Sequence, residues 1–173
     1  MPTRDDLYQD AIFNYGPALE RLARSYEADA EDRRDLLQEI HLAIWRSFET
    51  FDGRCSMRTW VYRVAHNVAA SHVIRSRRMR GRKLISLEDF DKIPCKDNAL
   101  VAIDRNEILN QVFALIRQLN PLDWQVILLY LEGMDADSIG EVTGISAGNA
   151  AIKVHRIKNI LARQYQEEAN HAK

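Results

Sequence analysis

Long hydrophobic runs are missing from this 173-residue chain. No apolar stretch approaches the ~18 residues of a membrane-spanning helix, so no membrane insertion is expected. The N-terminus, Met1-Pro2-Thr3-Arg4-Asp5-Asp6, has no apolar run behind its charges. That pattern does not fit a secretory signal and points to a cytoplasmic protein. Cysteine is scarce: Cys55 and Cys95 stand far apart, which suits reduced thiols better than a disulfide framework. No CxxC or HxxxH spacing occurs among Cys55, Cys95, His41, His66, His72, His155 and His171, so no metal site is expected. Seven Gly and four Pro are too few for a turn-rich all-β fold. A Gly-rich phosphate loop, GxSxG and HExxH are all absent, so neither a catalytic constellation nor a bound cofactor is expected. A net charge of -1 excludes a uniformly basic nucleic-acid binder.

What is present is a globular balance, with 46% apolar and 28% charged residues, and an uneven distribution of charge. Residues 1–45 carry a net -5, residues 46–85 a net +8, residues 86–143 a net -7 and residues 144–173 a net +3. Solvated helix faces alone would produce charge runs. Alternatively, the two basic blocks are two polyanion-binding surfaces, each backed by acidic surface with another purpose.

Helical periodicity dominates. Ile12, Tyr15, Leu19, Leu22 and Tyr26 step by three and four, and Gly16-Pro17 is expected to kink or divide that helix. Asp29-Ala30-Glu31-Asp32 marks a second start, followed by Leu37, Ile40, Ile44, Phe48 and Phe51 on one face as far as Gly53. Ser56 can cap a third helix, with Val61, Val64, Ala65, Val68 and Ala69 buried, running into a basic stretch from Arg75 to Lys83. Periodicity lapses from about 81 to 103, which is expected to be a linker. It returns from Asp104, where Ile108, Val112, Leu115, Ile116 and Leu119 share a face. Asn120-Pro121 opens a helix that ends at Gly133. Asp135 caps a short helix, Ala136 to Thr143; Gly144-Ile145-Ser146 is a tight turn; a last helix starts at Ala147. A short helix, a Gly-containing turn and a longer basic helix is the helix-turn-helix pattern. The expected fold is all-α, with two small helical domains: a bundle over 1–80 and a helix-turn-helix domain over 104–173.

Three stretches carry candidate binding chemistry. On the second helix, Asp35, Gln38, Glu39 and Arg46, interrupted by Leu36 and Leu42, suggest a docking face for a basic or helical partner, although solvation alone accounts for the acids. On the third, Arg54, Arg58, Arg63, Arg75, Arg77 and Arg78 lie among Phe51, Trp60, Tyr62 and His66. Arginines neutralise phosphates and rings accept unstacked bases, so this mixture suits single-stranded or melting DNA. Arg58, Tyr62 and His66 step by four and share a face, with Arg63 and Asn67 beside it; Trp60 is equally well explained as core. On the last helix, Asn149, Lys153, His155 and Arg156 would face out while Ile139, Val142, Ile145 and Ala150 join the helix pair. An ordinary helical hairpin would share that pattern. His41, on a helix, would suit a phosphotransfer bundle, but Trp45 and Phe48 beside it favour a packed ring.

These residues resemble a known family, the extracytoplasmic-function (ECF) sigma factors of bacterial RNA polymerase, within the sigma-70 family. Asp35-Leu36-Leu37-Gln38-Glu39 is similar to the family's DLvQE segment. Ser56-Met57-Arg58-Thr59-Trp60-Val61-Tyr62-Arg63-Val64-Ala65-His66-Asn67 is similar to its s-RTWLYrIARN segment. Leu119-Asn120-Pro121, Leu131-Glu132-Gly133 and Gly144 through Arg156 follow its C-terminal domain. The resemblance implies a factor without catalytic activity that binds core polymerase and directs promoter recognition, DNA melting and initiation. The face of Asp35, Leu36, Gln38, Glu39 and Leu42 would dock on the β′ clamp. Phe51, Arg54, Met57, Arg58, Trp60, Tyr62, Arg63, His66 and Asn67 would hold the -10 element's nontemplate strand, with Arg75, Arg77 and Arg78 on nearby phosphates. Ser146, Gly148, Asn149, Ala151, Ile152, Lys153, His155 and Arg156 would enter the major groove at the -35 element, their domain resting on the β flap. An anti-sigma protein is a further implied partner.

One departure stands out. Where the family's recognition helix usually reads GTVKSRLHRA, this chain has Ala151 and Ile152 in place of a basic residue and a Ser. Apolar side chains there suit a thymine methyl or weaken -35 binding. A helix-turn-helix regulator acting alone would need neither the acidic docking face nor the arginine–aromatic helix. The alternating charge also gives basic and acidic surfaces a means of facing each other in the free chain.

Overall fold

The structure is a computed structural model describing residues 2–79, 110, 112–114 and 116–171, with backbone alone at 77, 78 and 164–171. The expected linker, Cys95, the Arg80–Lys83 run and much of the segment from Asp104 lie outside the described residues, as do the side chains of Arg77 and Arg78.

The fold is all-α. The N-terminal unit comprises α1 (Arg4–Tyr26), α2 (Ala30–Ser47) and α3 (Met57–Met79). Its helix starts are set by local chemistry. Thr3 and Asp6 form a reciprocal capping box on α1. Asp29 accepts from the N–H groups of Glu31 and Asp32 at 2.8 and 3.1 Å to cap α2. The Ser56 hydroxyl accepts from the Thr59 N–H at 3.0 Å to open α3. Contrary to expectation, Gly16-Pro17 does not divide α1, which is continuous through Pro17. Proline cannot bond the carbonyl of residue 13, but Phe13 and Pro17 are both exposed, so that carbonyl lies on the solvent-facing side of the helix.

The C-terminal unit contains α4 (Pro121–Leu131), α5 (Ala136–Thr143) and α6 (Ala147–His171), preceded by helical residues at 110, 112–114 and 116. Asn120, Asp135 and Ser146 cap the three helices through the N–H groups of Asp123, Ser138 and Asn149. Gly144 takes the left-handed conformation, φ 80°, that ends α5. A Cβ on Gly140 would lie 2.8 Å from the Ile145 carbonyl oxygen, so glycine lets the α5–α6 turn close. Ile139, Val142 and Ala150 are buried at the helix-turn-helix junction, with Ile145 packed against them.

The two units share apolar cores. Tyr26, Leu36, Ile40, Ile44, Val61 and Ala65 from the bundle pack in one cluster with Ile116, Leu119, Trp124, Ile127 and Ile157. Ala18 and Tyr62 join a second with Val126, Leu129, Met134, Ile139 and Val142. The Tyr26 ring stacks on Trp124 with centroids 4.3 Å apart and planes 10° from parallel.

Candidate nucleic-acid interface

Of the five α2 residues expected to form a docking face, all but one are exposed. Asp35, Gln38, Glu39 and Leu42 are exposed along one side. Leu36 is not on it: with 0% exposure it lies in the core. The cause is the helical repeat, since 36, 40 and 44 share the inward stripe and Leu36 sits about 100° round from Asp35. Glu39 is reached from α3 by the Arg75 guanidinium at 3.1 Å. Both side chains are well exposed, and pairs of this kind contribute at most about 1 kcal/mol.

The loop into α3 is built on rings. Phe51 meets Phe48 edge-on at 5.9 Å and tilts against Trp60 at 5.3 Å. Trp60 donates its indole N–H to the Ser47 hydroxyl at 2.8 Å. It is half-buried, so it serves the core while keeping one edge at the surface. Met57 packs beside them, Arg54 is exposed and pairs with Asp52 at 2.9 Å, and Cys55 is a half-buried free thiol.

Arg58, Tyr62 and His66 do share a face of α3, but α4 and α5 cover it. Arg58 donates to the Glu132 carbonyl oxygen at 2.7 Å and lies 5.8 Å over the Tyr62 ring. Tyr62, only 3% exposed, directs its hydroxyl to the Glu132 carboxylate at 3.4 Å. Burial first, then the Glu132 charge, push its phenol up to about 12. Arg63 donates through Nε and Nη2 to the Glu141 carbonyl at 3.2 and 2.6 Å. His66, 1% exposed, has Nδ1 3.1 Å from the Tyr26 hydroxyl, while Nε2 is buried without a partner. Its main-chain carbonyl accepts from Gln125 at 3.2 Å. Burial pulls the imidazole down to about 3, so the ring is neutral. Asn67 remains exposed.

On α6, Ser146, Gly148, Asn149, Ala151, Ile152, His155 and Arg156 are exposed, Ile152 at 67%. Lys153 departs from the expected outward face: its ammonium turns in to the Asp123 carboxylate at 2.5 Å, itself 1% exposed. Asp123 also accepts from Asn120 at 2.5 Å, so this network fixes α4 to α6. His41 is half-buried, with Nδ1 2.9 Å from the Tyr8 hydroxyl; burial lowers its pKa. It is packed, as Trp45 and Phe48 suggested. Among the described residues no group of three or more His, Cys, Asp or Glu side chains is placed to hold a metal ion, and no helix is long and apolar enough to cross a membrane.

Glu132, Glu141, Gln125 and Trp124 were not singled out from sequence. Glu132, Glu141 and Gln125 contact α3 and Trp124 stacks on Tyr26 of α1, all across many intervening residues, whereas helical periodicity records only which face of a helix is apolar.

Two family models match in order along the chain: Sigma-70 region 2 over residues 12–79, and Sigma-70 region 4 over residues 109–161. The chain belongs to the ECF sigma factors of the sigma-70 family. Its relatives include the ECF RNA polymerase sigma factor SigE of Mycolicibacterium smegmatis, 26% identical over 99% of this chain and 66% of the relative. SigX of Bacillus subtilis is 24% identical over 80% of this chain and 73% of its own length. RNA polymerase sigma-H factor of Pseudomonas aeruginosa is 27% identical over 80% and 75%. Thus the chain spans about two thirds to three quarters of the length of these relatives. Among solved structures, CnrH in complex with the cytosolic domain of CnrY has the same fold (TM-score 0.65, 19% identity, 93% of this chain and 88% of that one). So does the sigma factor RpoE from Bartonella quintana, in complex with the anti-sigma factor NepR (TM-score 0.67, 16% identity, 92% and 96%). Sigma factors are not an enzyme class.

Proposed function

We propose that this ECF sigma factor binds core RNA polymerase and directs promoter recognition, strand opening and transcription initiation, acting in the cytoplasm without catalysing a reaction. The observation that carries this is the pairing, in one chain, of the two sigma regions with an acidic exposed face on α2 and an arginine–aromatic face on α3. Asp35, Gln38, Glu39 and Leu42 dock on the β′ clamp, with Leu36 holding the helix from beneath. Phe51, Arg54, Met57, Arg58, Trp60, Tyr62, Arg63, His66 and Asn67 receive the nontemplate strand of the -10 element, and Arg75, Arg77 and Arg78 follow its phosphates. Asn149, Ala151, Ile152, His155 and Arg156 read the -35 duplex from α6, and Ser146 and Gly148 bring the start of the helix to the backbone. Lys153 supports that surface from behind. The domain around α6 rests on the β flap. The domains are 1–80 and 104–173, joined by 81–103. An anti-sigma protein is a natural regulator, since RpoE of Bartonella quintana, which shares the fold, forms a complex with the anti-sigma factor NepR.

The test is co-elution of the full chain with core polymerase, followed by run-off transcription. Stable co-elution and start-site-specific transcripts are expected. A chain that binds duplex DNA alone and ignores polymerase would overturn the proposal in favour of a stand-alone regulator.

A further inference from the structure

One side chain of α6 has no part in packing the fold. Ile152, in the second turn of the second helix of the helix-turn-helix, is 67% exposed and belongs to neither apolar core. The core-facing work is done by Ala150, Val154 and Ile157, which are buried against residues of α4 and α5. Asn149, Ile152 and Arg156 are spaced by three and four residues and are all exposed, so they form one line along the outer face, with Ala151 and His155 beside it. Between Ala147 and His155 the only Lys or Arg is Lys153. Its ammonium turns inward to the Asp123 carboxylate at 2.5 Å. The Lys158 ammonium leans back onto α4, donating to the Tyr130 hydroxyl at 3.1 Å. The leading half of the outer face therefore presents Asn149, Ala151 and Ile152, with no cation among them.

In a helix-turn-helix, the leading turns of the second helix meet base edges in the major groove. Purines show the N7 acceptor there, guanine adds O6, and cytosine shows an amino donor. An isoleucine set against any of these strips water from a polar group and returns no hydrogen bond. Thymine alone adds a methyl group, which gains by contact with apolar surface. We propose that Ile152 is a specificity-determining residue of the -35 contact and reads the 5-methyl group of a thymine. Selection at that base pair then comes from apolar contact, and purines and cytosine are rejected by the polar groups they would leave unpaired. Asn149, one turn earlier on the same line, suits an adenine edge, so the leading half of the helix favours A·T pairs. The inference rests on the assignment of α6 to the -35 duplex, and the experiment separates the two.

The full chain, bound to core polymerase, is used to select duplexes from a library randomised across the -35 region. The selected duplex is remade with each thymine of that region replaced singly by uracil, which removes only the methyl group. Each T·A pair is also replaced by cytosine or by 5-methylcytosine, paired with guanine. At one position uracil should weaken binding about fourfold, the worth of roughly one buried methyl-sized group. At the same position 5-methylcytosine should bind more tightly than cytosine by a similar factor. Ile152→Ala should bind the thymine and uracil duplexes equally, with its melting temperature unchanged because the side chain is exposed. Ile152→Val should keep part of the discrimination. A selected element without thymine, a parent protein indifferent to the methyl at every position, or an Ile152→Ala variant that keeps the fourfold difference would overturn the proposal. If no -35 sequence emerges from the selection, the assignment of α6 to that element falls, and the proposal with it; that outcome is distinct from a selected element read without regard to the methyl.

Discussion

At the residue scale, the most informative positions do not look alike. Asp35 is exposed on α2 and has no structural duty in the core. Asp35→Arg should abolish binding to core polymerase while leaving the circular dichroism spectrum and melting temperature unchanged. Asn67→Ala should weaken open-complex formation, followed by permanganate footprinting, more than it weakens core binding. Lys153 belongs to a different class. Lys153→Met would leave the Asp123 carboxylate buried without its cation, and the expected effect is a loss of about 3 kcal/mol in urea unfolding rather than a change in -35 preference. His66 ties pH to stability. Its folded pKa of about 3 lies below the ordinary imidazole value of about 6.5, so between those limits the unfolded chain binds more protons. Stability should fall as pH drops from about 6.5, by about 1.4 kcal/mol per unit, or about 2 kcal/mol at pH 5. His66→Gln should flatten that slope; an equally steep slope in the variant would place its origin elsewhere.

At the scale of the element, helix boundaries were the most legible part of the sequence. Asp29, Ser56, Asn120, Asp135 and Ser146 all cap the helices expected of them, because a cap bonds N–H groups two or three residues away and is written locally. The buried stripe of the helix-turn-helix was also legible, from periodicity alone. Misjudged positions depended on surroundings. Pro17 leaves α1 whole because its face is wet, and Leu36 belongs to the inward stripe although its immediate neighbour Asp35 is exposed. Tyr62 and His66 read as an open aromatic face because nothing local signals that α4 lies over them. Gly140 is the element-scale test of the helix-turn-helix. Gly140→Ala would press a methyl onto a backbone oxygen, which a rotamer change cannot relieve. It should lower stability by about 1–3 kcal/mol and weaken binding to -35 duplex in parallel, read by thermal melting and gel shift.

At the scale of the whole molecule, the charge blocks and the packing play different parts. A net charge of -1 keeps phosphate attraction low despite the +8 stretch over residues 46–85, which restrains binding to arbitrary duplex. The sequence pattern suggests that basic and acidic surfaces hold the free chain together. In the structure the Arg21–Glu132 pair lies at the rim, and aromatic and aliphatic side chains fill the contact. Salt should consequently loosen the closed form only slightly, since screening acts on exposed charges and spares buried apolar area. The most direct measurement is transcription of the source organism's DNA by core polymerase with and without the purified protein, with transcript 5′ ends mapped. A defined set of new start sites, sharing sequence near -10 and -35 and lost in Asp35→Arg, is the predicted result; an unchanged set of ends with the protein present would contradict it.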